Sequence, residues 1–182
     1  MMPQPRRLRR RFVKSTRGIA AVEFAMVLPV LAVIFLASTD AGRAIAIYMK
    51  VRATTYTIAA ITNQYSIIHD ADVQGNLGAA ATVLAPYSTG PLAITISQIA
   101  IDSSGNATVS WSDTLGGTAH VKGTPMTVPS NLKVPGSFLV FGEVSYGYQP
   151  LFGYFGANTA INLSDNLYTT PRISASITRV SP

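Results

Sequence analysis

From Ile19 to Ala37 the chain runs through nineteen residues with a single ionisable side chain, Glu23, and no polar stripe. A helix on a soluble domain needs a polar face for water, and this segment has none. At about 1.5 Å per residue it spans close to the ~30 Å of a bilayer's hydrocarbon. The run therefore predicts a membrane span and divides the chain around it. Arg6, Arg7, Arg9, Arg10, Arg11, Lys14 and Arg17 precede it with no acid among residues 1–18, whereas only Arg43, Lys50 and Arg52 follow closely. The positive-inside rule places the N-terminus in the cytoplasm and the C-terminal mass outside. A secretory signal peptide is the competing reading. Its apolar run is usually shorter, and no small-residue cleavage site follows Ala37 directly. Ala44-Ile45-Ala46 has suitable residues but lies beyond Asp40 and Arg43.

Charge narrows the function classes. The formal net charge is +6, yet residues 19–182 hold seven basic side chains against all eight acids. The excess belongs to the leader. A nucleic-acid-binding domain spreads its basic residues over a folded face, so no nucleic-acid partner is expected. With 48% hydrophobic and 12% charged residues the chain is not a disordered one. Having no cysteine, it can form neither disulfides nor thiolate metal sites, and it carries no lipid-modified cysteine.

Two residues inside the span call for explanation. A carboxylate costs on the order of 3 kcal/mol at a membrane helix centre and less near an end. Glu23 either snorkels to the interface or stays protonated, or else it meets a cation. If the chain is cut between Gly18 and Ile19, the new α-ammonium of Ile19 stands at i relative to Glu23 at i+4, on one helix face. A neighbouring subunit's ammonium serves equally. Pro29 removes one backbone hydrogen bond and predicts a kink that packed neighbours can absorb.

Arg17-Gly18-Ile19-Ala20-Ala21-Val22-Glu23-Phe24 resembles the processing site of prepilin-like proteins, and Ala25-Met26-Val27-Leu28-Pro29 extends the likeness to the TadE-like minor pseudopilins of the tight-adherence (Tad/Flp) pilus system. Stretches at Gln98–Trp111, Val144–Phe152 and Leu167–Arg172 look similar to that family too, with one departure at Thr170, where a basic residue is expected before Pro171-Arg172. The resemblance implies cutting by a prepilin peptidase after Gly18, with Gly18, Ile19, Glu23 and Phe24 forming the processing site. It also implies that Glu23 acts as the charge partner in assembly, beside other pilins and minor pseudopilins in the inner membrane.

Beyond the span, Ala44, Ile47, Val51, Thr54, Ile58, Ile61, Tyr65 and Ile68 recur at spacings of three and four, with Lys50, Arg52, Asn63 and Gln64 off the stripe. The pattern predicts one helix from about Ile19 to about Ile68, roughly 75 Å long. Ala71–Gly90 reads as a loop and a short helix near Leu77–Ala85, closed by Pro86. The period then becomes two over residues 92–101, Asp102-Ser103-Ser104-Gly105-Asn106 forms a turn, and Ala107–Asp113 returns as the second strand of a hairpin. Further strands are expected near Pro125–Val128, over Ser137–Tyr148 with a bulge at Gly142, and over Arg172–Val180. Pro150–Leu167 reads as a long connection. The fold class is α+β: a long N-terminal helix, half membrane and half amphipathic, packed on a small, mainly antiparallel sheet in pseudopilin-like fashion. The segments are a basic cytoplasmic leader (1–18), a transmembrane helix (19–37), its amphipathic continuation (38–70) and a periplasmic α+β domain (71–182).

Little here suggests catalysis. His69-Asp70-Ala71-Asp72 lacks the regular spacing of a calcium loop and reads as a solvated turn. His120, in a Gly/Thr-rich stretch, reads as a surface histidine, and Glu143 as an outward-facing residue of its strand. No nucleophile-elbow, zinc-protease or phosphate-loop motif occurs. No catalytic residue, metal or cofactor is expected. Tyr146, Tyr148, Phe152, Tyr154 and Phe155 read as core filling or, alternatively, as a subunit contact. Arg172 is expected to cap a strand or pair with an acid. The sequence reading is a non-enzymatic, membrane-anchored, minor pseudopilin-like component of Flp pilus assembly, resident in the inner membrane and in the filament or at its base. Its competitor is an uncleaved single-span protein whose periplasmic β-rich domain binds an envelope component or ligand.

Overall fold

The computed structural model describes residues 16–151 and 160–180. The basic leader up to residue 15, and Phe152, Tyr154 and Phe155, lie outside the described residues. The chain divides into two compact units after Gly42. One helix, α1 (Thr16–Thr62), runs through the boundary and continues past Pro29 without interruption.

Within the second unit, α1 buries the anticipated stripe. Ile47, Val51 and Ile58 are almost wholly buried, and Thr54 and Thr55 lie beside them. The two threonines are tolerated there because their hydroxyls donate back to Lys50 O (2.9 Å) and Val51 O (3.0 Å). Each fully buried Ile or Val side chain contributes roughly 1.5–3 kcal/mol. Helix α1 ends at Thr62, six residues short of the expected Ile68, because Ile67 and Ile68 are taken into a strand, β1 (Ile67–His69). Asn63 also departs from expectation. It is buried, donates from Nδ2 to Thr169 Oγ1 (3.0 Å), and its carbonyl accepts the Arg172 N–H (3.3 Å).

Helix α2 (Asp70–Thr82) starts well before Leu77. What reads as a solvated turn is its first turn: the Asp72 carboxylate accepts the His69 N–H at 3.1 Å, satisfying an orphan donor of the helix start. Strands β2 (Leu92–Ile101), β3 (Ala107–Leu115), β4 (Phe138–Tyr148) and β5 (Ile161–Thr169) form an antiparallel sheet in the order β3-β2-β4-β5. A short β6 (Thr178–Val180) pairs in parallel with β1.

The β2–β3 hairpin forms as the sequence predicts. Its turn is held by Asp102, whose carboxylate accepts N–H groups of Ser104 (2.8 Å) and Asn106 (2.9 Å) and the Asn106 amide (2.9 Å). Gly105 supplies the positive φ of +81°. The Asn106 side chain, then its backbone N–H, holds the Asp102 carboxyl below its ordinary value. The expected bulge at Gly142 is absent, since β4 pairs without a break on both sides. The irregularity falls in the hairpin, where the register jumps between Gln98 and Ile99. Gly142 faces α1, and a Cβ there would make ordinary contact, 3.5 Å from Ile58 Cγ2 and 3.6 Å from Thr55 O.

Three further expectations are corrected. Residues 150–167 are not all connection, because Ile161–Thr169 is a strand paired to β4 over its whole length. Near Pro125–Val128 only an isolated bridge, Thr108 to Pro125, forms. Of Arg172–Val180 only Thr178–Val180 is extended in a ladder; the stretch before it bends, with Ser174 Oγ donating to Ser176 O at 2.6 Å. Ile177 nonetheless closes the core. Its N–H donates to Gln98 Oε1 (2.6 Å), and its carbonyl accepts the Trp111 indole N–H (3.1 Å). Arg179 forks onto Asp113 (3.0 Å from both Nε and Nη2) and also pairs with Asp70, tying β6, β3 and α2 together.

Candidate functional site

The two faces of the sheet differ. Leu92, Ile94, Ile96, Val140, Val144 and Tyr146 form one core with Ile47, Val51 and Ile58 of α1. Tyr146 and Tyr148 are buried, as core filling requires. On the opposite face, Ile99, Leu139 and Phe141 make a second, smaller cluster under Val128 and Met126. Beside it lies a ladder of hydroxyls: Ser97 donates to Ser112 (2.8 Å), and Thr95 meets Thr114 (3.1 Å). The chain after β3 crosses close above this ladder because Gly116 and Gly117 permit it. A Cβ on Gly116, at φ +72°, would sit 2.3 Å from Leu92 O.

That crossing carries His120 to Glu143, with Nε2 and Oε2 2.5 Å apart and both side chains about one-third exposed. His120 is thus not a lone surface histidine, although Glu143 does face outward as expected. Tyr168 stacks on Phe141 with ring centroids 4.2 Å apart, and its hydroxyl donates to Thr127 O (3.2 Å). Burial first, then the nearby Glu143 charge, pushes the Tyr168 phenol above its ordinary value. A cleft of about 360 Å³ lined by Thr118, His120, Glu143, Ser145 and Ser164 opens on this face. No sequence period announces the His120–Glu143 or Arg179–Asp113 pairs. Each depends on a register set by irregular chain.

The predicted site residues all sit at the start of α1. Gly18 has open space where a Cβ would be. Ile19, Val22, Phe24, Met26, Val27 and Leu28 are roughly half to three-quarters exposed, and Glu23 is exposed among them. The exposure goes all the way round: every residue from 18 to 35 is exposed in its own chain. Ile19 and Glu23 share a helix face at i and i+4. Pro29 lies within this stretch, inside the helix. Among the described residues, Gly18–Thr62 is the one helix long and apolar enough to cross a membrane. No group of three or more metal-ligating side chains comes together among the described residues. Arg172 forms no ion pair among them and serves through its backbone N–H to Asn63 O.

Comparison with known families places the same stretch. Residues 18–60 match the family model described as TadE-like protein. The resemblance read from Arg17–Pro29 therefore extends along α1 almost to its end, and this part of the chain is similar to TadE-like proteins. The match takes in Gly18, Ile19, Glu23, Phe24 and Pro29 together with the buried stripe from Ala44 to Ile58. Neither curated proteins nor solved structures yield a match to the chain.

Proposed function

We propose that the protein is a membrane-anchored, minor pseudopilin-like component in the assembly of Flp-type pili, matured by a prepilin peptidase after Gly18. The observation that carries this reading is the coincidence of three features in one segment: a TadE-like match, an apolar helix unburied by its own chain, and Gly18, Ile19 and Glu23 at its start. Apolar surface of this extent is stable only in lipid or against other apolar helices. The segment holds the protein in the inner membrane, with its leader cytoplasmic and its α+β domain periplasmic. After cleavage the Ile19 ammonium, from the same chain or a neighbour, neutralises Glu23. That pairing sets the register between helices, and the loosened backbone at Pro29 is absorbed by them.

The test is co-expression with a prepilin peptidase. The natural chain shortens by its 18-residue leader, whereas Gly18→Leu stays full length and supports no pilus assembly. Unaltered processing of Gly18→Leu contradicts the assignment. The cleft beside His120 and Glu143 favours a second reading, an uncleaved anchored domain that binds an envelope component. On that reading substitutions at Gly18 and Glu23 leave both processing and pili unchanged.

A further inference from the structure

The four-stranded sheet has two edges, and they are treated differently. Along β3 the chain folds back over the edge: Val109 donates its N–H to Thr124 O (3.0 Å), Gly123 donates to Val109 O (2.8 Å), and Met126 donates to Ala107 O (2.9 Å). Strand β5 forms the other edge, paired to β4 in unbroken register. Which of its backbone groups are left over follows from β4. The Gly147 N–H reaches Pro91 O (3.1 Å), and Ser137 O accepts the Ile101 N–H (2.9 Å). The odd-numbered residues of β4 therefore turn their backbone groups toward β2, and the even-numbered ones toward β5. Leu163, Asp165 and Leu167, opposite Tyr146, Val144 and Gly142, are thus the residues bonded to β4. Asn162, Ser164, Asn166 and Tyr168 point their N–H and C=O groups away from the sheet. Among the described residues no hydrogen bond reaches those groups.

An open edge templates strand addition, and proteins usually blunt it with proline, lysine or a bulge. Residues 161–169 contain none of these, and their one charge is Asp165. Asp165 is half-buried on the sheet face shared with Leu163 and Leu167, and it forms no ion pair among the described residues. That carboxylate selects the occupant. A second copy that paired antiparallel through all four outward residues would set Asn162 against Tyr168 and Ser164 against Asn166. The two Asp165 side chains would then face each other in a non-hydrogen-bonded pair, with Cα atoms about 4.5 Å apart, where like charges repel. A strand with a cation at that position gains what the copy loses. We infer that β5 accepts, as a fifth antiparallel strand, an extended segment of another protein that carries lysine or arginine opposite Asp165 and apolar side chains opposite Leu163 and Leu167. The inference concerns the α+β unit alone and is independent of cleavage and of the membrane reading.

The experiment mixes the full chain in detergent with a fluorescein-labelled heptapeptide of threonines that has lysine at its centre and valine two residues to either side. Fluorescence anisotropy reads binding, and amide hydrogen exchange followed by NMR reads its place. Saturating peptide is expected to slow exchange at Asn162, Ser164, Asn166 and Tyr168 about tenfold or more, leaving Leu163, Asp165 and Leu167, already bonded to β4, unchanged. Binding without that alternation, or no binding up to millimolar peptide, overturns strand addition. Asp165→Asn, which leaves the ladder untouched, weakens binding about two- to fivefold, the range of a cross-strand ion pair. A peptide with glutamate at its centre binds the natural chain more weakly than the lysine peptide and binds Asp165→Lys better; equal binding of the two peptides to the natural chain overturns the choice of a cation. Ser164→Pro abolishes binding, because it removes an outward N–H that β4 does not use. Retained binding by that variant overturns the edge as the site. Protection of the same four amides without peptide, rising with protein concentration, identifies a second copy as the occupant and overturns the choice of partner. Cleavage after Gly18 is read separately, by chain mass, so its failure leaves each of these outcomes unaffected.

Discussion

Helix α1 offers two stretches of one secondary structure under opposite rules. From Gly18 to Phe35 apolar side chains point in every direction and none is buried by the chain itself. From Ala44 to Thr62 burial follows the three-and-four spacing, with Tyr48, Arg52 and Tyr56 exposed on the other side. Both stretches are α-helical, the first in spite of Pro29, so the difference in burial lies in what surrounds them. The first must find its surroundings outside the fold, in lipid or in other helices. The second brings its own, a sheet whose Ile94, Ile96, Val140 and Val144 pack with Ile47, Val51 and Ile58. The teaching is that an all-round apolar helix and a one-sided apolar helix are separate statements about solvent, even within one unbroken element.

That contrast predicts that damage in one stretch leaves the other's property intact. Ile58→Ala, at a fully buried position over Gly142, is expected to destabilise the α+β unit by about 4 kcal/mol. Thermal unfolding of the full chain in detergent reads the loss, while membrane fractionation stays unchanged. Val27→Arg, near the middle of the apolar run, costs insertion about 3 kcal/mol. It shifts the protein out of the membrane fraction yet leaves the domain's unfolding transition in place. If either substitution moved both readouts equally, the two stretches would not be independent. The smallest effect concerns the outer face, away from α1. Because the folded state holds the Tyr168 phenol above its ordinary value of 10.0, it binds the proton more tightly than the unfolded chain does. The resulting stabilisation is complete below pH 10 and is lost as pH rises through the raised value. Unfolding between pH 8 and 12 should therefore show a decline that Tyr168→Phe flattens, with Val27→Arg behaving as the natural chain does.

Much of this was legible in the residues because it was periodic. The stripe from Ala44 to Ile58, the alternation of β2 and the Asp102–Asn106 turn each state their structure locally. Strand β5 was missed although Ile161, Leu163 and Leu167 alternate, because Asn162, Ser164, Asp165 and Asn166 have the composition of a turn and only pairing with β4 overrides it. The opposite error occurred near the C-terminus. Ile173, Ala175 and Ile177 alternate like a strand, yet Ile173 is 66% exposed, and the Ser174–Ser176 hydrogen bond offers the backbone a local alternative. A glycine in a strand can signal a bulge, but Gly142 pairs regularly on both sides and a Cβ there would meet α1 only at ordinary contact distance. The outer-face pair of His120 and Glu143 left no sequence signal, because the chain between Gly116 and Ser137 has no repeat from which to count. The likeness of Gly18–Pro29 to TadE-like proteins was legible for a different reason: it is carried by contiguous residues and needs no tertiary fold to assemble.

The central claim is that Gly18 and Ile19 bound a cleavage site at the mouth of a membrane helix. It is tested most directly by the N-terminal sequence and intact mass of the protein recovered from native membranes. The account predicts a chain beginning at Ile19, lighter by the eighteen-residue leader apart from any modification of the new amine. A chain in the same membranes that begins at Met1 contradicts it, and one beginning between residues 38 and 47 contradicts the membrane helix too.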